Sequence, residues 1–295
     1  VLTLEYLAEL LDKNRTAVDA RVREFSIGHQ LFAFNSEPAI MGVINLSPDS
    51  WYRESVCLST VAAVQRADTM RAQGAHIIDV GAESSLAHAV RLDAALQKSK
   101  LLPVLKQLKA RKHLVSIETY QPEVARTCLD LGADVINLTG SRDADEIYRM
   151  AAAHDAAVII CYVQGANVRE VSDFDFSADP TEMMREYFSR QTALAEKCGL
   201  KKIFIDPGLG FYYRNLQDSV VRVRHQMTVF LNTFRLRTLG YPVCHALPHA
   251  FEYFREEVRC AEPFFAVLAA FGKTDLFRTH EVPRTRAVME TLRAF

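Results

Sequence analysis

No two of the six cysteines (Cys57, Cys128, Cys161, Cys198, Cys244 and Cys260) are spaced as C-x-x-C. A zinc site of the usual spacing is therefore excluded, and the six read as reduced, mostly core thiols. No basic start followed by an apolar stretch opens the chain. Residues 2–12 instead carry acids at helical spacing, so no secretory leader is expected and a cytoplasmic location follows by default. No apolar run reaches the roughly 18 residues that cross a bilayer, which argues against a membrane partner. Charge of one sign is also lacking: 35 Lys and Arg against 36 Asp and Glu leave a net charge of -1. Neutralising several phosphates needs a basic surplus on one face, so no nucleic-acid partner is expected. Low-complexity tracts are absent.

What is present fits one large core. The chain has 295 residues, close to the usual size of a TIM barrel, and its 49% hydrophobic and 24% charged residues are those of an ordinary globular protein. Short β-rich runs at 39–44, 76–80, 113–117, 134–137, 157–161, 202–205, 242–245 and 275–278 alternate with longer amphipathic stretches, for example 60–73, 90–109, 121–131, 181–198 and 216–239. Several runs are almost continuously apolar, as strands buried on both faces must be. Gly74, Gly132, Gly199 and Gly240 follow helical stretches, where glycine accepts the left-handed conformation that ends a helix. The pattern predicts an α/β fold, a (β/α)8 TIM barrel over residues 36–295, with an N-terminal helical extension over 1–35. An open doubly wound sheet shares the alternation, but its first strand is expected to run into a Gly-rich phosphate loop, and none follows Ile44 or Val80.

In a barrel the residues just past each strand line the active-site face. Here they are polar: Asn45 and Asp49 after the first run, Asp79, Glu83 and Ser85 at the second, Glu118 at the third, Asn137 at the fourth, Gln164 after the fifth, Asp206 after the sixth, and Arg278 with His280 at the eighth. A buried carboxylate there is costly unless a ligand with N–H donors pairs with it. Each residue also has a local reading. Pro48, Asp49 and Ser50 suit a turn, as does Asp206-Pro207-Gly208; Glu118 suits the start of a helix; Arg278 and His280 suit a surface pair. Their shared position at one end of successive strands is what those readings leave unexplained.

Two stretches carry a family resemblance. Residues 40–51 (IMGVINLSPDSW) and 74–85 (GAHIIDVGAESS) resemble the two signatures of dihydropteroate synthases, usually IMGILNVTPDSF and GAxIIDVGGEST. Residues 115–119 (VSIET), 132–137 (GADVIN), 163–165 (VQG), 205–211 (IDPGLGF) and 278–282 (RTHEV) follow in the family's order. The resemblance implies a pterin-binding barrel that joins a hydroxymethyl-dihydropterin diphosphate to an arylamine, releases pyrophosphate and uses Mg2+. It implies that Glu118, Asn137 and Asp206 hold the pterin edge, with Ser85, Phe211, Gln164 and His249 also on substrate. Asn45 would meet the metal or diphosphate, and Arg278 and His280 would grip the diphosphate. Glu118 stands where the family usually has Asp, one methylene shorter. A homodimer through late helices is also implied, with the apolar stretch 264–271 either there or in the core.

The departures lie on the side of the second substrate. Leu86-Ala87-His88 replaces the usual Arg-Pro-Gly, Tyr212-Tyr213 replaces Gly-Lys, residues 247–250 (LPHA) replace the Ser-Arg-Lys segment, and Arg53 stands for Asp. Three readings follow. One is a transferase with an acceptor other than p-aminobenzoate, contacted by Arg53, His88 and His249. The second is a pterin-binding paralogue without catalysis, acting as a regulator or partner subunit. The third is a methyltetrahydrofolate-binding methyltransferase, which the segments at 45–51 and 278–282 do not resemble.

Overall fold

A computed structural model of the chain describes residues 2–49, 52, 55–84, 91–168, 170–171, 173, 179–210, 216 and 218–295. Eight parallel strands form its centre: β1 (Ala39–Asn45), β2 (Ile77–Gly81), β3 (Val115–Thr119), β4 (Val135–Leu138), β5 (Ala157–Cys161), β6 (Ile203–Asp206), β7 (Cys244–Ala246) and β8 (Leu276–Thr279). Each agrees with an expected run to within one or two residues. Hydrogen bonding follows the order β6-β5-β4-β3-β2-β1-β8-β7. The circle is closed by a bridge between Ile205 and Val243, where the Ile205 N–H donates to Pro242 O at 3.1 Å. The result is the expected α/β barrel.

Eight helices surround it: α1 (Thr60–Ala72), α2 (Ala94–Ala110), α3 (Pro122–Asp130), α4 (Ala144–Ala153), α5 (Pro180–Lys197), α6 (Ser219–Leu236), α7 (Ala261–Phe271) and α8 (Val282–Arg293). Asp93, Asp179 and Asp218 cap α2, α5 and α6 by accepting a backbone N–H from the first turn, which satisfies donors a helix start leaves open. Gly74, Gly132, Gly199 and Gly240 all take positive φ, between 82° and 110°, as their places after helices predict.

Side-chain alternation within the strands decides what each face sees. One buried cluster joins Ala39, Met41, Ile77, Val135, Ala157, Ile159, Cys161, Phe204, Cys244 and Leu276, the inward set. The other joins Ile40, Ile44, Ile78, Val80, Val115, Ile117, Ile136, Val158, Ile203, Ile205 and Phe277 to the helices. Because side chains alternate with period two, Asp79, Ser116, Glu118, Asn137, Asp206 and Arg278 fall on the inward set, nearer the strand ends. Both faces are therefore buried, but only the inner one changes from apolar to polar along the strands.

The N-terminal extension starts as expected, with helices over Leu4–Lys13 and Arg15–Val18. It then turns into an antiparallel hairpin, Phe25–Ile27 with Gln30–Phe32, turned at Gly28 with φ 55°. Ile27, Phe32 and Phe34 belong to the inward cluster, and the rings of Phe25 and Phe34 meet Phe204 edge-on at 5.2 and 5.3 Å. The hairpin thus plugs the barrel at the end opposite the polar residues. Within α7, Phe265, Ala266, Leu268 and Ala269 are buried, whereas Phe264 and Phe271 are exposed at 40% and 63%, so the apolar stretch 264–271 divides between core and surface. Cys57, Cys128, Cys161 and Cys244 are buried thiols, and all six cysteines are free. Among the described residues no helix is long and apolar enough to cross a membrane.

Candidate active site

The C-terminal strand ends open into a cleft whose wall includes Asn45, Tyr52, Glu118, Asn137, Asp206, Arg222, Gln226, His249, Arg278 and His280. Its floor is built by the alternation described above. Asp79, fully buried on β2, sits between Arg278 and Asn137: its Oδ2 accepts from Arg278 Nε at 2.7 Å and from Asn137 Nδ2 at 3.2 Å. Arg278 Nη2 donates to Glu118 Oε2 at 2.5 Å, so one guanidinium spans two acids. The Cys161 thiol donates to Asn137 Oδ1 at 3.4 Å and completes the hold on that amide.

Three acids around one guanidinium leave a surplus of negative charge in a buried place. Burial pushes Glu118 up to about 7 even against Arg278, with Asp79 and Asp206 adding to the rise. Asp206 is 3% exposed and burial pushes it up to about 6, although the Gly208 N–H and Arg278 both pull it down. Arg278 moves further above its already high range: burial opposes the charge, but Asp79 and Glu118 prevail. Such a floor presents acceptors at close quarters and gains from a ligand that brings N–H donors.

The local readings of these residues resolve in different ways. Asp206 does make a turn, accepting the Gly208 N–H on Oδ1 at 2.8 Å with Gly208 at φ 73°, and it lines the cleft as well. Glu118 does not start a helix: it lies on β3, and α3 begins only at Pro122. Arg278 and His280 are no surface pair, since their side chains are each 15% exposed and both line the cleft.

Asn45 ends β1 in the cleft wall, and its Nδ2 donates to Ser55 Oγ at 2.6 Å, which leaves the amide oxygen to meet a cation. Among the described residues no three His, Cys, Asp or Glu side chains are gathered to hold a metal. His280 is held by Glu262 through Nδ1 at 2.6 Å, and the Tyr52 ring stacks on it with centroids 4.6 Å apart and planes at 13°.

On the remaining side, Leu247, Pro248 and His249 line the cleft. The His249 ring packs on Phe251 at 4.4 Å, and burial pushes it down to about 4, so it is a neutral imidazole in this wall. Gln164 donates to Tyr162 Oη at 2.7 Å, and a small hairpin, Gly165–Asn167 with Glu170–Val171, begins directly after it. Ser85, Phe211, Arg53, His88, Tyr212 and Tyr213 lie outside the described residues.

Sequence reasoning set Asp79 on the active-site face without a specific partner, and passed over Arg222, Tyr52 and Glu262. Asp79 was legible, two positions after the inward Ile77 on the same strand. Arg222 was not: it stands on α6, and both Glu252 oxygens accept from its Nη2 at 2.8 Å.

Comparison with known proteins agrees with this architecture. The family model for pterin binding enzymes matches residues 41–245. A dihydropteroate synthase from Synechocystis is 31% identical over 221 residues, covering 74% of this chain and 73% of its own length. One from Streptococcus pyogenes is 32% identical over 217 residues, covering 72% and 75%. A solved dihydropteroate synthase from Clostridium difficile, in the presence of pteroic acid, superposes with a TM-score of 0.75 at 26% identity and covers 89% of this chain and 98% of its own. With the family's match running from the first barrel strand to the seventh, and with this identity over most of its length, the chain belongs to the pterin binding enzyme family.

Proposed function

We propose that this protein is a dihydropteroate-synthase-type transferase. In this reading it binds a hydroxymethyl-dihydropterin diphosphate and condenses it with an arylamine, through an acceptor site that differs from that of p-aminobenzoate-using relatives. The observation that carries the reading is the floor of Asp79, Glu118, Asn137 and Asp206 around Arg278. It offers a flat heterocycle bearing several N–H groups a set of paired acceptors. The synthases similar to this chain make the pterin the natural candidate.

The chemistry divides between the two sides of the cleft. The amine nitrogen forms a bond to the methylene carbon as the C–O bond to the diphosphate breaks; pyrophosphate leaves with the electron pair, and a proton leaves the amine. Glu118, Asn137 and Asp206 hold the ring so that this carbon faces the acceptor side. Arg278 and His280 would bring N–H donors to the developing charge on the leaving oxygen. Asn45 would hold Mg2+, which supplies charge neutralisation on the diphosphate when bound.

The acceptor side supports an altered amine. Leu247, Pro248 and a neutral His249 occupy the segment where the family usually presents Ser-Arg-Lys, while Arg222 brings a cation from α6 instead. Titration of the chain with the pterin diphosphate, with and without Mg2+, followed by pyrophosphate release across a panel of arylamines, tests the proposal. Metal-dependent binding and turnover with an amine other than p-aminobenzoate is the expected result. Binding of the bare pterin with no release from any amine would instead establish the non-catalytic paralogue, and ordinary turnover of p-aminobenzoate would refute the altered acceptor site.

A further inference from the structure

Glu262, in the first turn of α7, is 1% exposed and carries a carboxylate that the floor of the cleft does not use. Four groups donate to it. They are the Thr279 hydroxyl, the His280 N–H at 2.9 Å, the Glu281 N–H at 3.1 Å, and His280 Nδ1 at 2.6 Å. Burial alone would raise this carboxyl, but the His280 ring and these donors bring it below its usual range, so Glu262 is ionised where the enzyme would work.

The ring it holds is fixed from other sides too. Tyr52 stacks on the face of His280, and its hydroxyl donates to Glu281, which is paired with Arg259 and with Arg284 at 3.2 Å. Arg66 Nη2 donates to the His280 carbonyl at 3.3 Å. With Nδ1 turned to Glu262, the opposite ring nitrogen, Nε2, is the one left for the cleft that His280 lines. In a histidine, the bond made by one ring nitrogen sets the state and direction of the other.

We propose that Glu262 is a positioning residue for the anion end of the cleft: it accepts the Nδ1–H of His280 and so turns Nε2 toward the diphosphate, which that nitrogen meets as an N–H donor, with Tyr52 clamping the ring. The inference rests on the transferase reading for the identity of that anion. Glu262 does so without repelling a phosphate, because its own charge is taken up by the four donors.

The test uses inorganic pyrophosphate with Mg2+ as the probe, titrated into the full chain and into Glu262→Gln, His280→Gln and the double variant, with 6-hydroxymethylpterin titrated in parallel. Each single change is expected to weaken pyrophosphate about tenfold and to leave the pterin within twofold, and the double is expected to lose no more than about the larger single, because the two residues act as one unit. Losses that multiply to about a hundredfold, a pterin affinity that falls equally, or an unchanged pyrophosphate affinity in Glu262→Gln would each overturn the proposal. Nitrogen NMR of the unmutated chain gives a check independent of variant folding: the His280 ring is expected to carry a proton on Nδ1, and a bare Nδ1 refutes the assignment. Coupled losses with no turnover of any amine would remove the transferase reading and leave this one standing; turnover without coupling does the reverse.

Discussion

Arg278 on β8 reaches past β1 and β2 to Glu118 on β3, its Nη2 2.5 Å from Oε2, while its Nε stays 2.7 Å from Asp79 on β2. One guanidinium thus ties three strands at the mouth of the barrel. The reach depends on Glu118 being a glutamate, since the family's usual aspartate is one methylene shorter. The floor of the cleft is therefore a linked network in which removing one member exposes the others.

Replacing Arg278 by Gln is expected to show this directly. Asp79 is fully buried and would lose its ion pair with Arg278, and Glu118 would lose the charge that keeps it from rising further. Breaking one side of a buried ion pair costs about 3–5 kcal/mol, because the remaining charge is left uncompensated. Urea unfolding at pH 8 should reveal a loss of that order. At pH 5 the loss should shrink, as the carboxyls take up protons instead of standing charged. Equal losses at both pH values would show that Arg278 acts through packing alone.

Asp206→Asn tests the acceptor role of the floor. The turn survives, because an amide oxygen can still accept the Gly208 N–H that Asp206 Oδ1 now takes at 2.8 Å. The charge does not survive, and a hydrogen bond to a charged group is worth about 1.5–3 kcal/mol, so pterin affinity should fall roughly 10- to 150-fold with little change in the unfolding midpoint. Calorimetric titration of 6-hydroxymethylpterin decides it; an unchanged affinity removes Asp206 from the binding floor.

Much of this arrangement was legible in the sequence for a physical reason. Strands buried on both faces must be apolar, so a run such as residues 157–161 announces itself, and a polar residue ending the run stands out as Asn137, Asp206 and Arg278 do. Asp79 was read on the same face although it interrupts its strand rather than ending it, and its parity with Ile77 is what makes it inward. Arg222 and Glu262 carry no local mark, since arginines and acids are ordinary on helix surfaces, and only the tertiary fold brings Arg222 into the cleft wall and Glu262 against His280. The hairpin at 25–32 went unseen in a segment whose first residues are helical.

The pH dependence of binding follows from the two raised carboxyls. With Glu118 pushed up to about 7 and Asp206 to about 6, the folded chain holds protons that the unfolded chain has released from about pH 4 upward. The stability these groups contribute is therefore full below about pH 4 and is lost as pH rises through 6 and 7. A ligand that donates N–H groups favours the charged forms, so its binding near pH 6 must release protons. Pterin affinity should climb from pH 5 to about 7 and then level. Titrations at pH 6 in two buffers of different ionisation enthalpy would measure the release, and proton uptake would contradict the acceptor floor.

The packing that holds the barrel wall makes a separate prediction at Gly272, which ends α7. A Cβ placed there would sit 1.8 Å from the carbonyl oxygen of Phe230 on α6, and because that obstacle is backbone inside a buried helix pair it cannot move aside as a side-chain tip would. Gly240 offers the contrast: its φ of 82° disfavours a side chain, yet nothing lies within 4 Å of the added carbon. Gly240→Ala should therefore cost only the left-handed backbone strain, about 1–2 kcal/mol. Gly272→Ala must separate two helices that form the wall behind β7 and should cost at least about 3 kcal/mol, at the upper end of overpacking effects. Urea midpoints of the two variants measured together would rank them. The order matters more than either value, since a Gly240 variant less stable than the Gly272 variant would mean that the two helices do not approach as closely as the backbone at Phe230 requires.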